Sequence, residues 1–210
     1  MEAKWFDLSR PLADGEPAYP GDPPVRLQQR RFVEKDRYNA FELHTGLHVG
    51  THIDLPLHHV DGEKTVAEYP PEAFTGPGVL LDVRGQDPFG LLPGYGALVA
   101  EGDVVLFFTG WDAHYGNAAY YGAHPQMTVE LAEFLVAKRV RMVGVDSPSP
   151  DRGEYAAHLA LMRGGVPILE NLMGLAALQG LPAFEVMAFP PRLCAEASPV
   201  RVVARAVVSC

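Results

Sequence analysis

The 210-residue chain has little cysteine, no excess of basic side chains and no long apolar run. Its two cysteines, Cys194 and Cys210, form no CxxC pair, so we interpret them as packing or surface residues in a reducing cytoplasm. The net charge of −9 argues against a nucleic-acid partner, because phosphate backbones are bound by basic surfaces. No stretch of about 18 apolar residues predicts a membrane span, and the first residues lack the apolar core of a signal peptide.

The composition is that of an ordinary globular protein, with 48% hydrophobic and 20% charged residues. This apolar content is enough for a sizeable core, and no linker, repeat or low-complexity segment divides the chain. We therefore predict one domain over residues 1–210, in which residues 1–25 form an extended arm rich in proline and glycine.

Short apolar runs bounded by glycine, proline or aspartate predict β-strands. These runs lie at residues 78–83, 103–108, 140–146, 184–189 and 200–208. Helical periodicity is concentrated in the second half of the chain. It predicts helices at residues 128–139, 154–165 and 170–180. The sequence thus predicts a strand-rich α/β fold.

One eleven-residue segment, HVGTHIDLPLH, contains three of the chain's eight histidines and an aspartate. Even positions share one face of an extended chain, and here they carry the polar side chains His48, His52, Asp54 and His58. In a fully extended strand the Cα atoms of His48 and His52 would lie roughly 13 Å apart. A shared metal ion therefore requires a bend near Gly50, a residue type that tolerates such a bend.

This histidine cluster is either a polar loop or a metal site. Burying so much polarity on one strand face without a cation would leave lone pairs unsatisfied, which favours the metal site. Two imidazoles and a carboxylate suit zinc or manganese and leave a coordination position open for water. A closed structural metal site in a binding module is a further alternative, but structural zinc sites prefer cysteine ligands.

Two distant residues are candidates to complete the site. His158 stands among apolar residues of a predicted helix, and Glu170 follows the apolar run VPIL and begins the next predicted helix. Taken alone, His158 reads as a hydrogen-bonded core residue and Glu170 as a charge at a helix N-terminus. Combined with the histidine cluster they become candidate ligands, because a buried carboxylate is costly unless a cation or donor meets it. Asp146 and Asp151, in VDSPSPD, could either support the candidate ligands from behind or cap a loop, and we favour loop capping.

The pattern H-x-G-T-H-x-D-x-P-x-H resembles the signature of the cyclase family, which includes bacterial kynurenine formamidases and isatin hydrolases. The likeness extends to TGW at 109–111, GVDSPSPD at 144–151 and HLALMRGGVPILENL at 158–172, in the order that the family shows. It therefore covers nearly the whole chain. The resemblance implies a swivelling β/β/α fold and a metal-dependent amide hydrolase.

The resemblance also implies a ligand set and a cofactor. The cofactor would be two zinc ions, as in formamidases, with manganese as the alternative, as in isatin hydrolases. Asp54 would bridge the two metals. The implied ligands are His48, His52 and Asp54 for the first metal, with His158 and Glu170 completing the second.

Two further residues acquire roles through the resemblance. His58 matches the residue that transfers protons as a general acid or base, and Tyr19 matches a position where formamidases usually carry a substrate-contacting tryptophan. The expected reaction is hydrolysis of a small-molecule amide, foremost N-formylkynurenine to kynurenine and formate. The alternative is hydrolysis of a cyclic imide or lactam. Family likeness and the arm also suggest a homodimer, with the arm reaching the neighbour's site.

Overall fold

The computed structural model describes residues 4–117 and 119–207. Cys210 and the last residue of the predicted strand at 200–208 therefore lie outside the described residues, whereas Cys194 is exposed at the surface. The strands are β1 (Trp5–Asp7), β2 (Arg26–Arg31), β3 (Ala40–His44), β4 (His52–Asp54), β5 (Thr75–Asp82), β6 (Val104–Phe108), β7 (Met142–Val145), β8 (Ile168–Glu170), β9 (Phe184–Phe189), β10 (Ala197–Pro199) and β11 (Arg201–Ala206). The helices are α1 (Val33–Asp36), α2 (Tyr95–Leu98), α3 (Val129–Ala137) and α4 (Ala156–Arg163).

Nine of these strands form one sheet, in the order β1-β11-β9-β5-β6-β7-β8-β4-β10. Its centre, from β5 to β8, is parallel, and every pairing outside that centre is antiparallel. Parallel strands are usually buried on both faces, which explains why the central strands are near-continuous apolar runs. Strands β2 and β3 pair with each other as a separate two-stranded ribbon.

Strand β6 shows how the sheet separates two hydrophobic cores. Val104, Leu106 and Phe108 enter one core, and Val105 and Phe107 enter the other, as alternation along a strand requires. Helices α3 and α4 cover the second core, whereas side chains of the outer strands β9 and β11 close the first. The sheet therefore curls over itself and leaves the helices on one side. This β/β/α layering confirms the predicted strand-rich α/β fold.

The predicted helix at residues 170–180 is wrong. Glu170 ends strand β8, and only Leu175–Leu178 form a short 3-10 turn farther on. Leu172, Leu175 and Leu178 all enter the first core, so their spacing reflects packing beneath the sheet and not a helical face. The other two predicted helices are present as α3 and α4. Within the described residues, no helix combines the length and apolarity that crossing a bilayer would require.

Candidate active site

Three of the candidate ligands are brought together by the pairing of β4 with β8. His52 and Asp54 lie two residues apart on β4, so their side chains point to the same face of the sheet. The antiparallel register places His52 directly opposite Glu170. All three side chains are buried. The strand parity predicted from the sequence therefore holds for His52 and Asp54.

His48 and His58 reach the same place through a bend and a turn of the chain, so only His52 and Asp54 of the even positions lie on the strand itself. Gly50 has a φ of +61° and bends the chain before β4, while Pro56–His58 form a 3-10 turn after it. The bend brings His48 Nδ1 to 2.8 Å from Asp54 Oδ1. The turn places the ring of His58 against that of His48, with 4.3 Å between centroids. The predicted bend at Gly50 is thus present.

Helix α4 supplies the fourth buried candidate, His158, from more than a hundred residues away. Its Nε2 atom lies 3.7 Å from Asp54 Oδ2 and 3.7 Å from Glu170 Oε1. Its Nδ1 atom lies 3.2 Å from Asp151 Oδ1 on the outer side of the ring. The imidazole is therefore held between an outer carboxylate and the two inner ones.

The other two rings are also oriented by partners outside the cluster. His52 Nδ1 donates to the Gly50 carbonyl at 2.9 Å, because a carbonyl can only accept. This leaves His52 Nε2 to face Glu170 Oε2 at 3.2 Å. His48 Nε2 lies 3.4 Å from Glu196 Oε1 while its Nδ1 faces the cluster. Such outer partners fix the ring orientation of metal-binding histidines in general.

Four buried polar atoms of this cluster lack a hydrogen-bond partner among the described residues: His52 Nε2, Asp54 Oδ1, His158 Nε2 and Glu170 Oε1. Buried polar atoms are rarely left unpaired, and imidazole nitrogen and carboxylate oxygen are preferred ligands of zinc and manganese. Two groups of three residues can each bring their ligand atoms within 4.8 Å of one another. The first group is His48, Asp54 and His58, and the second is His52, Asp54 and Glu170. The donor set therefore fits divalent cations, and Asp54 belongs to both groups.

The charges in the cluster depend on one another. Burial alone would lower the pKa of His48, but Asp54 outweighs it and raises that pKa to about 9. For His158, burial is outweighed by Asp151 and Asp54, and the pKa rises to about 10. Burial would raise the pKa of Asp54, yet the charge of His52 and the nearby rings of His158 and His48 hold it well below its ordinary value. A cation would take the place of the protons that now balance these carboxylates.

His58 differs from the other cluster histidines because its side chain is solvent-exposed. The protein packed around its ring disfavours the imidazolium and lowers the pKa of His58 to about 4. The negative charge of Asp54 opposes this shift, but the positive charge of His48 offsets part of that opposition. The ring is therefore neutral at pH 7 and able to accept a proton.

The cluster opens into a cavity of about 350 Å³ with aromatic walls. Tyr19 of the arm meets Tyr121 edge-on, with 5.5 Å between ring centroids. A hydrogen bond with the Tyr155 hydroxyl, together with burial, raises the pKa of Tyr19 to about 12. His59 also lines this cavity. The arm thus reaches the site of its own chain, and the substrate-binding role of Tyr19 stays a prediction.

Two residues near the cluster were missed or undervalued in the sequence. Asp151 does cap a chain segment as predicted, since its Oδ2 accepts from the backbone N–H groups of Ala157 and His158, but its other oxygen faces the His158 ring. This second contact corresponds to the supporting role that was the less favoured alternative for VDSPSPD. Glu196 offered no local signal, because its contact with His48 depends on β10 pairing with β4.

A curled β/β/α sheet and an imidazole–carboxylate cluster that opens into a cavity together define a metal-dependent hydrolase. A family model described as "Putative cyclase" matches residues 6–152, and the chain belongs to the cyclase family. The predicted family is thereby confirmed.

Relatives cover the chain almost completely. A protein named kynurenine formamidase from Bacillus cytotoxicus is 32% identical over 97% of this chain and 98% of its own length. A kynurenine formamidase from Bacillus cereus is 30% identical over 98% of this chain and 99% of its own.

Solved structures share the fold. Isatin hydrolase A from Labrenzia aggregata, bound to benzyl benzoate, superposes with a TM-score of 0.86 at 26% identity, covering 98% of this chain and 94% of that one. A structure described as a predicted metal-dependent hydrolase from Bacillus stearothermophilus has a TM-score of 0.78 at 26% identity, covering 99% and 100%. The predictions of a hydrolase and of this fold class are confirmed.

Proposed function

We propose that this protein is an arylformamidase that hydrolyses N-formylkynurenine to kynurenine and formate. The observation that carries this proposal is the group of four unpaired buried ligand atoms facing an aromatic-walled cavity. An aromatic formamide matches both features, since its carbonyl needs an electrophile and its ring needs a flat apolar wall. The similarity to kynurenine formamidases over nearly the whole chain supports the same substrate.

The cation-binding residues would come from three parts of the fold: the bend and strand around β4, the end of β8, and α4. Two divalent cations, zinc or alternatively manganese, would be held by His48, His52, Asp54, His158 and Glu170. Such cations supply a carbonyl-polarising charge and lower the pKa of water from 15.7 to about 7. The shared position of Asp54 in both donor groups supports its role as the bridge.

His58 would carry the proton between water and the leaving nitrogen. Its neutral imidazole accepts a proton from the attacking water, and the resulting imidazolium donates it to the departing aniline nitrogen. Its place at the solvent-facing side of the cluster, in contact with the cavity, supports this role. The ring of His58 lies 4.3 Å from that of the proposed ligand His48, so it would be close to a carbonyl bound at the metal site.

Tyr19, Tyr121 and Tyr155 would bind the aromatic part of the substrate. Edge-to-face and stacked aromatic contacts contribute about 0.5–1.5 kcal/mol beyond burial, so three tyrosines can orient a substrate ring. Their position on the cavity wall supports this assignment.

A second candidate reaction is ring opening of a cyclic imide or lactam. The likeness to isatin hydrolase A at 26% identity favours it, because the same cluster could polarise a ring carbonyl.

A substrate panel on the metal-loaded protein tests both candidates. N-formylkynurenine, isatin and a simple cyclic imide are compared by kcat/KM, and bound metal is counted per chain. We expect N-formylkynurenine to be the best substrate, with two cations per chain and loss of turnover after chelation. Preference for isatin with one cation would overturn the first candidate in favour of the second. Turnover of none would contradict both.

We also propose a homodimer that works in the cytoplasm, and the ribbon of β2 and β3 supports the dimer. Phe41 and Leu43 lie on one face of the ribbon and are 60% and 50% exposed. An isolated two-stranded ribbon is marginally stable by itself. Residues 26–44 carry five basic and three acidic side chains, so the ribbon is positively charged, whereas the chain as a whole has a net charge of −9. The negatively charged remainder of a second copy would therefore attract the ribbon.

Sedimentation tests the dimer. We expect the unmodified chain to sediment as a dimer, and a Phe41→Glu, Leu43→Glu double variant to sediment as a monomer. A stable monomer for the unmodified chain would overturn the dimer.

A further inference from the structure

The geometry around α4 points to Asp151 as a positioning residue that holds His158 in the tautomer able to bind a cation. This inference rests on the proposed metal site. It concerns an acidic side chain that belongs to neither donor group of the cluster.

The two oxygens of Asp151 have different partners. Oδ2 accepts from the backbone N–H groups of Ala157 and His158, at 2.7 and 3.0 Å, in the first turn of α4. Oδ1 lies 3.2 Å from His158 Nδ1. The side chain is only 6% exposed, so water does not compete effectively for these contacts.

These contacts decide which ring nitrogen carries a proton. A carboxylate can only accept, so His158 Nδ1 must donate to it. In the neutral ring the lone pair then belongs to Nε2, the atom that faces Asp54 and Glu170 and has no hydrogen-bond partner among the described residues. A metal ligand needs that lone pair. The carboxylate of Asp151 thus caps the first turn of α4 and also orients the imidazole of His158 on that helix.

Ser149 is the other neighbour of this nitrogen, but it does not make the same choice. Its Oγ lies 3.3 Å from His158 Nδ1. A hydroxyl can donate or accept, so it is compatible with either tautomer. Only Asp151 imposes one of them.

Asp151→Asn separates the two tasks of the side chain. Two backbone N–H groups require an oxygen at the Oδ2 position, so the asparagine must place its NH₂ group towards His158. That group opposes a proton on Nδ1 and favours the tautomer in which Nε2 is protonated. We expect cation affinity to fall about 10- to 100-fold, the range found when outer partners of metal-binding histidines are changed. The helix should persist.

Ser149→Ala is the matched control. Zinc affinity is measured for the unmodified chain and for both variants by competition with a chromogenic chelator, and helix content by circular dichroism. We expect Ser149→Ala to stay within about threefold of the unmodified chain. Equal affinity in a folded Asp151→Asn variant would overturn the inference, whereas absence of zinc binding by the unmodified chain would overturn the metal site itself.

A measurement on the unmodified protein avoids dependence on a variant that fails to fold. In the zinc-loaded chain labelled with ¹⁵N-histidine, we expect His158 to show a protonated Nδ1 and a zinc-bound Nε2, assigned by comparison with the His158→Gln spectrum. A protonated Nε2, or zinc on Nδ1, would overturn the inference.

Discussion

The charge and the ligand role of each residue at this site depend on the residues around it, and Asp54 is the clearest case. Its carboxylate meets His48, His52 and His158, and it belongs to both groups of donor atoms. Deep burial would normally protonate such a group, but three imidazoles keep its pKa low. A residue with so many shared contacts should be the least replaceable member of the cluster.

Asp54→Asn should remove most bound cation, because an amide supplies one neutral oxygen in place of a charged bridge. We expect less than half of the normal metal content after dialysis, measured by atomic emission. Asp61→Asn, an exposed change a few residues along, is the control and should keep full loading. A fully loaded Asp54→Asn variant would contradict the bridging role.

His58→Ala should slow turnover while leaving the metal in place. General acid–base catalysis contributes about 10²- to 10⁴-fold, so kcat should fall by that factor. Turnover and metal content are measured together, with His44→Ala on the exposed face of β3 as control. Loss of metal would make His58 a ligand, as its grouping with His48 and Asp54 allows, and near-normal kcat would exclude the proton-transfer role.

Among the elements, the short strands β4 and β8 contribute most to the site. Each has three residues, yet their register sets His52 opposite Glu170 and aligns Asp54 on the same face. The sheet can place them accurately because β7 and β8 are packed between two cores. Close packing is strict at Gly144 of β7, where an added Cβ would lie 2.6 Å from Leu106 Cδ2 and 2.8 Å from Leu172 Cδ1.

Gly144→Ala should therefore destabilise the fold. Adding a methyl group to a filled core typically costs about 1–3 kcal/mol of unfolding free energy, measured here by urea denaturation. The control is Gly96→Ala in α2, where an added Cβ would meet no described atom within 4 Å. That change should stabilise by up to about 1 kcal/mol. Equal stability of the two variants would contradict the packing argument.

At the scale of the whole molecule, the metal site couples stability to pH. In the metal-free protein, Asp54 and Asp151 overcome burial and raise the pKa values of His48 and His158 to about 9 and about 10. The unfolded value is about 6.5, so the folded chain binds these protons more tightly. Their stabilisation is complete below about pH 6.5 and is lost as pH rises through 9 to 10.

Chelation should expose this dependence. We expect the Tm of the metal-free protein to fall between about pH 6.5 and pH 10, while a cation that replaces the protons protects the loaded protein. The Tm difference between the two states should therefore widen with rising pH, and a cation at 100 times its Kd adds about 2.7 kcal/mol. Thermal unfolding in both states measures it. A difference that stays constant or narrows would contradict the expected exchange of protons for metal.

Local chemistry along the chain was enough to predict the strand-rich fold class, the shared face of His52 and Asp54, and the bend at Gly50. Each of these follows from residues within a few positions of one another. Helix 170–180 was mispredicted because leucine spacing alone does not distinguish a helix from a segment lying beneath a sheet.

Long-range pairing established the remainder of the site. Three contacts of the site join parts of the chain more than a hundred residues apart. They are the pairing of His52 with Glu170, the approach of His158 on α4 to Asp54, and the contact of Glu196 with His48. Asp151 belongs to the same class, since its second contact exists only once α4 has formed and turned its ring inward. Periodicity carries no information on register between distant strands, so the closure of the cluster follows from how the sheet and α4 pack.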